Sequence, residues 1–214
     1  MTESMRRSLV KTVLLVGLLT MAHFATGLEP GGETRALATA REKLAQIEVR
    51  RESHQASYDR DRFRHWIDAD RDCEDTRAEV LRAESSARVT RNSSCTIQTG
   101  RWFSLYDGIT ITQASSLDVD HVVALAEAWR SGAWAWSDAK REAFANDISR
   151  PQVLRAVTAS TNRSKGDRDP TDWLPTRRAA WCRYAREWIH VKYVWDLSAQ
   201  RAEIEALEDL LATC

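Results

Sequence analysis

Cysteine is scarce in this chain, and the four present, Cys73, Cys95, Cys182 and Cys214, form no CxxC pair. That spacing excludes a zinc ribbon, whose ligands come as closely spaced cysteine pairs. No stretch offers the ~20 apolar residues that a comfortable transmembrane helix needs. Neither an internal repeat nor a low-complexity segment is present, which excludes solenoids and arrays. An excess of one charge is missing too, since 31 Lys and Arg balance 31 Asp and Glu. A uniformly basic protein is therefore excluded, and any affinity for phosphate must be local.

What is present suffices for a globular domain: 214 residues, 43% of them hydrophobic, with nine tryptophans to fill a core. The first 27 residues read as a secretory signal, with Arg6, Arg7 and Lys11 ahead of the apolar heart "VLLVGLL" and small residues at Ala25 and Gly27. "RRSLVK" is also similar to a twin-arginine export signal, except that Met5 stands where a polar residue is usual. Cleavage near Gly27 removes three basic and one acidic residue and leaves 28 against 30. The mature protein is then secreted, with no stable membrane association, and is expected to be a monomer. All four cysteines lie in the exported part, where thiols oxidise. Of the three possible pairings, Cys73–Cys95 with Cys182–Cys214 closes local loops at least entropic cost.

Residues 28–57 read as a linker, "LEPGG", and an amphipathic helix carrying Leu37, Leu44 and Ile47. Residues 58–214 form the main domain, of α+β class. Within it, residues 90–112 predict short strands with turns at Gly100 and at Asp107-Gly108. Two apolar runs, "LDVDHVVAL" from Leu117 and "VLRAV" from Val153, predict a hairpin whose strands flank a helical insertion. Trp181, Tyr184, Trp188, Val191 and Trp195 recur at helical spacing and belong to the core, and Ser198 is placed to cap a last helix.

The run "LDVDHVVAL" puts charge where burial is costly, which requires partners, a metal or a shifted pKa. On a regular strand Asp118 and Asp120 face one way and His121 the other, so a shared site requires the strand to end or bulge at His121. Asn162 follows in "STNRSKGD", where Ser160 can cap a short helix. Together these residues make a phosphodiester-cutting set. His121, with an ordinary pKa near ~6.5, suits a general base. Asp120 and the amide oxygen of Asn162 are hard donors suited to Mg²⁺ or Mn²⁺. Lys165 and Arg163 can hold phosphate or support the residues around it, Asp118 can orient a neighbour or make a simple strand-edge hydrogen bond, and Arg77 can reach phosphate or pair with Glu74 or Glu79 on its helix. The segment from Arg150 to Lys192, with ten basic and four acidic residues, forms a local basic patch.

The ordered stretches "YDRDRF", "HWIDAD", "DTRAEVL", "DVDHVVALAEAWRSGA", "FAND" and "NRSKGDRDP" carry a resemblance to the HNH, or ββα-metal (His-Me finger), endonucleases. The likeness is specifically to the secreted bacterial branch related to the GmrSD C-terminal type, and it extends over residues 58–214. It implies a ββα-metal core at about residues 115–175, with flanking helices. It also implies metal-dependent hydrolysis of DNA to 5′-phosphate products, with His121 as base and Asp120 and Asn162 on the metal. One departure stands out: "SRPQVLRAV" has Pro151, Gln152 and Val153 where the family places a bracing Asn.

Bland alternatives accompany these readings. Asp68, Asp70, Asp72 and Glu79 occupy positions 1, 3, 5 and 12 of a calcium loop, but position 6 is Cys73 where a glycine is required. The ordinary reading of such a run is a solvated acidic turn. His54, His65 and His190 lack ligand partners at suggestive spacing. The rival class to an endonuclease is a non-catalytic exported binding module on the same scaffold, stabilised by Ca²⁺ if this loop holds it. A third is an antibacterial effector, against which the lack of a delivery domain argues.

Overall fold

The structure is a computed structural model and describes residues 31–214, so the signal read over residues 1–27 lies outside the described residues. In chain order the elements are α1 (Gly32–Leu44), α2 (Thr76–Glu84), β1 (Thr90–Arg91), β2 (Ile97–Phe103), β3 (Thr110–Gln113) and β4 (Leu117–His121), then α3 (Leu125–Arg130), α4 (Asp138–Ala145), β5 (Leu154–Thr158), α5 (Ala159–Lys165), α6 (Trp181–Val194) and α7 (Arg201–Leu211). The class is α+β. Strands β1, β2 and β3 form one antiparallel sheet, and β4 and β5 form a separate antiparallel pair.

Helix α6 is the axis of the core because its apolar residues recur every three or four positions, which leaves Tyr184, Trp188 and Val191 fully buried on one face. Helices α1 and α7 pack on it through Ala40 and Leu44 and through Ile204, Leu207 and Leu210. Helix α1 ends at Leu44, short of the Ile47 expected on it, and Ile47 is buried in the segment beyond, where Val49 bridges to Ala199. Lys192 crosses this core with its ammonium within hydrogen-bond distance of Glu127, Ser131, Glu203 and the Ser198 carbonyl, so α3, α6 and α7 are tied by one buried charged network. That network explains why Ser198 is not the cap of α7. Its hydroxyl donates to the Ser131 carbonyl, and Gln200 forms a capping box with Glu203 instead.

Both disulfides form as expected, Cys73–Cys95 and Cys182–Cys214, with Cα–Cα distances of 5.9 and 5.2 Å. The second ties the C-terminus to the start of α6. By loop-closure entropy each is worth about 3.5 kcal/mol. The expected turn at Asp107-Gly108 is present, with Gly108 at φ +78°. Gly100, in contrast, lies inside β2, where the ladder shifts register. A Cβ there would sit 2.6 Å from the Trp102 ring, so this glycine answers a close approach rather than a turn.

Candidate active site

The site is built on the hairpin β4–β5, which pairs residue for residue from Leu117↔Thr158 to His121↔Leu154, and on α5, which starts directly after Thr158. The two ladder ends enclose the predicted insertion, α3 and α4. Helix α5 begins at Ala159 with Thr158 as its boundary residue, so Ser160 lies within the first turn and does not cap it. Asp107 anchors this junction by accepting from the hydroxyls of Thr158 and Thr161. Burial raises its carboxyl, but these hydrogen bonds prevail and leave it below the ordinary aspartate value.

Two periodicities match across the interface. Asp118 and Asp120 share a face of β4, and Asn162 and Lys165 share a face of α5. The Asn162 amide nitrogen lies 3.2 Å from Asp118 Oδ2, and Lys165 Nζ lies 2.8 Å from Asp120 Oδ1. A carboxylate can only accept, so Asp118 fixes the Asn162 amide group as donor and leaves its oxygen uncommitted. Tyr106 completes the set by donating to Asp120 Oδ2 at 2.7 Å. Its phenol is pushed well above the ordinary range by burial and by the Asp120 charge, so it stays protonated. Burial also raises the Asp120 carboxyl, against the opposing pull of Lys165 and Tyr106.

His121 is the last residue of β4, and the end of the strand brings it to the same cleft as the residues of the opposite face. That cleft, about 420 Å³, is lined by Tyr58, Arg60, Asp120, His121, Asn162, Arg163 and Asp167 among others. The His121 Nε2 lies 2.9 Å from the Ala145 carbonyl oxygen. A carbonyl cannot donate, so Nε2 carries the proton and Nδ1 keeps the lone pair. The ring is flanked by Trp66 and Phe144, with centroids 5.5 and 6.1 Å away. Burial lowers the His121 pKa to about 3, with Arg60, His65 and Lys165 adding to the effect against the Ala145 hydrogen bond. The ordinary imidazole value expected from the sequence does not apply.

The other candidate residues fall in four places. Arg163 lines the cleft, largely exposed, with Nε 3.9 Å from Asp118 Oδ2. Lys165 does not line the cleft. It is fully buried and spends its ammonium on Asp120 and on the His121 carbonyl at 2.9 Å. Arg77 is likewise redirected: it donates to the carbonyls of Ala114 and Leu117 at 3.2 and 3.0 Å and braces the entry to β4. The carboxylates of Asp68, Asp70 and Asp72 lie within 4.8 Å of one another on an exposed loop. Glu79 stands close enough that burial, then Asp70 and Asp72, raise its carboxyl. Cys73 takes φ +75°, the left-handed conformation that the glycine of such a loop would supply.

Residue pattern alone does not single out four contributors: Tyr106, Trp66, Arg60 and Asn146. Asn146 accepts from the Ile67 amide and the Thr76 hydroxyl, and donates to the carbonyls of Arg64 and Glu142. It clamps the segment that presents the Ala145 carbonyl to His121, a bracing role left open by Pro151, Gln152 and Val153. The signal for it is its place in "FAND", directly after the buried Phe144 and Ala145.

No solved structure matches this chain. An uncharacterized secreted protein of the fungus Arthroderma benhamiae is 46% identical over 177 residues, covering 83% of this chain and 85% of its own length. A secreted relative thus occurs outside bacteria. Among the described residues no helix is long and apolar enough to cross a membrane. The model for the C-terminal domain of GmrSD restriction endonucleases matches residues 73–210, which span α2, the hairpin, α5, α6 and the lining of the cleft apart from Tyr58 and Arg60, and the chain belongs to that nuclease-related family.

Proposed function

We propose that the protein is an exported endonuclease of the HNH, ββα-metal type, hydrolysing phosphodiester bonds in nucleic acid, with DNA as the preferred substrate. One observation carries this reading: Asp120 and His121 at the end of β4 and Asn162, far along the chain on α5, line a single cleft while Nδ1 of His121 keeps its lone pair. Nδ1 takes a proton from a water molecule as that oxygen bonds to phosphorus, and the bond from phosphorus to the departing sugar oxygen breaks. The departing oxygen takes a proton from solvent. A 5′-phosphate and a free hydroxyl result, in line with the resemblance.

The residues fit a divalent ion. Asp120 has four acceptor positions and the structure fills two, while the Asn162 oxygen is uncommitted. Mg²⁺ or Mn²⁺ held by this pair would supply a Lewis acid for the phosphate oxygens. Arg60 and Arg163, both on the cleft, supply positive charge for the phosphate. A phosphodiester next to His121 raises the basicity of its ring, since an adjacent negative charge favours the imidazolium. Burial makes the base weak at rest, and the substrate strengthens it.

The test is cleavage of plasmid DNA by the mature protein with Mg²⁺ or Mn²⁺, set beside His121→Ala. Equal cutting by both, or none by either with any divalent metal, ends the assignment. A second reading, a calcium-stabilised exported binding module, draws on the convergence of Asp68, Asp70 and Asp72. Calcium-dependent stabilisation without any nuclease activity is the result that favours it.

A further inference from the structure

A groove of about 780 Å³ runs between α1 and α6, apart from the cleft that holds His121. Its walls carry basic side chains on both helices, with Glu33 and Glu187 the acidic ones among them. Arg183 is neutralised by Glu187, which also takes Arg155. Arg35, Lys43 and Arg186 have no carboxylate within salt-bridge distance among the described residues. Lys43 Nζ is instead 2.8 Å from Nδ1 of His190, so one basic group solvates another. Burial, then Lys43 and Arg150, lowers the His190 pKa, which keeps that ring neutral beside the ammonium. Lys43 and Arg186 are half-buried. Positive charge gathered in a concave surface without a counter-charge of its own attracts an arriving anion.

The shape of the groove indicates which anion. Arg35 and Lys43 lie eight residues apart on α1, about 12 Å along the axis at ~1.5 Å per residue. That length matches three to four phosphates of one strand, which recur at roughly 3.4 Å along a duplex axis. The apolar lining is confined to small residues such as Ala36, Ala40 and Ala179, so nothing here could insert into a bilayer. We propose that the groove between α1 and α6 binds the sugar-phosphate backbone of nucleic acid away from the scissile bond. The proposal rests on the nucleic-acid reading of the cleft and adds to it a second region of backbone binding. It also gives a role to a part of the basic segment that the cleft does not use.

The experiment measures binding of full-length mature His121→Ala protein to a fluorescent DNA duplex by anisotropy across a KCl series. Adding Arg35→Gln and Arg186→Gln should flatten the slope of log K against log salt by about 1.8, at ~0.9 for each phosphate left without its arginine. Arg35→Lys with Arg186→Lys should keep the original slope, which separates charge from folding. An unchanged slope in the Gln variant, with duplex binding intact, overturns the groove and leaves the cleft reading standing. Absence of duplex binding by the His121→Ala parent overturns both. Anionic phosphatidylglycerol vesicles form the last arm: loss of vesicle binding in the Gln variant with an unaltered duplex slope would make the groove a headgroup site and refute the proposal.

Discussion

Lys165 and Asp120 form a buried ion pair at 2.8 Å, with the ammonium fully enclosed and the carboxylate almost so. Removing one partner of such a pair strands the other charge, at a cost of about 3–5 kcal/mol. Lys165→Met should therefore lower the urea midpoint strongly, and Lys165→Met with Asp120→Asn should recover part of the loss. A Lys165→Met protein within about 1 kcal/mol of wild type in urea unfolding would show that the pair does not hold α5 to β4.

His121 titrates far below its ordinary range, which has consequences for both stability and rate. Its folded pKa of about 3 lies below the unfolded value of 6.5. The unfolded chain then takes up a proton that the folded one refuses. The stabilisation is fully present above pH 6.5 and is lost as pH falls toward 3, by about 1.4 kcal/mol per unit. Urea melts of wild type and His121→Gln between pH 7 and 4.5 should show a steeper decline in the wild type. Parallel curves would mean that His121 is not desolvated as described.

Activity gives a separate measurement of the same ring. His121→Ala should reduce cleavage about 10²–10⁴-fold, as removal of a general base does. In the wild type kcat/KM, which follows the ionisation of the free enzyme, should hold through pH 6.5 on acidification instead of halving there, because the resting ring stays neutral to about pH 3. A wild-type rate falling tenfold per pH unit below 6.5 would assign the base an ordinary imidazole environment and contradict the burial.

Much of this site could be read in the chain, and what escaped did so for identifiable reasons. The hairpin and α5 were legible because apolar alternation and a polar helix start are local properties. His121 reaching the face of Asp120 needed only that β4 end there. The fates of Lys165 and Arg77 were not legible, since a cation's partner is decided by packing far along the chain. Lys165 meets a carboxylate 45 residues away, and Arg77 meets carbonyls 37 and 40 residues away. Gly100 looked like a turn because its close neighbour is the ring of Trp102, two residues on. Ser198 had the right chemistry for a cap, but the buried Lys192 network claimed it.

Asp118 holds Asn162 by its amide nitrogen, and this orientation is what leaves the amide oxygen available. Asp118→Ala should free the amide to rotate. Loss of such supporting hydrogen bonds weakens metal affinity about 10–100-fold. Calorimetric titration of Mn²⁺ into the metal-free His121→Ala protein, with and without Asp118→Ala, measures this independently of cleavage. Identical affinities would remove Asp118 from any role in orienting Asn162.

The acidic loop allows one more test, because Cys73 takes the left-handed φ of +75° that a calcium loop demands at its sixth position. Its bond to Cys95 holds that residue in place, so a non-glycine can persist there. Asp68, Asp70 and Asp72 then crowd their carboxylates within 4.8 Å, and Glu79 feels their charge. Ca²⁺ at a hundred times its Kd would stabilise the fold by about 2.7 kcal/mol, raising Tm by roughly 5–10 °C for a chain this size. Asp70→Asn should abolish that rise while leaving the Mg²⁺-dependent cleavage rate in place, since the loop contributes no residue to the cleft. A Tm indifferent to Ca²⁺ in the wild type would reduce the loop to a solvated acidic turn, with its amide-to-carboxylate hydrogen bonds as the whole of its structure.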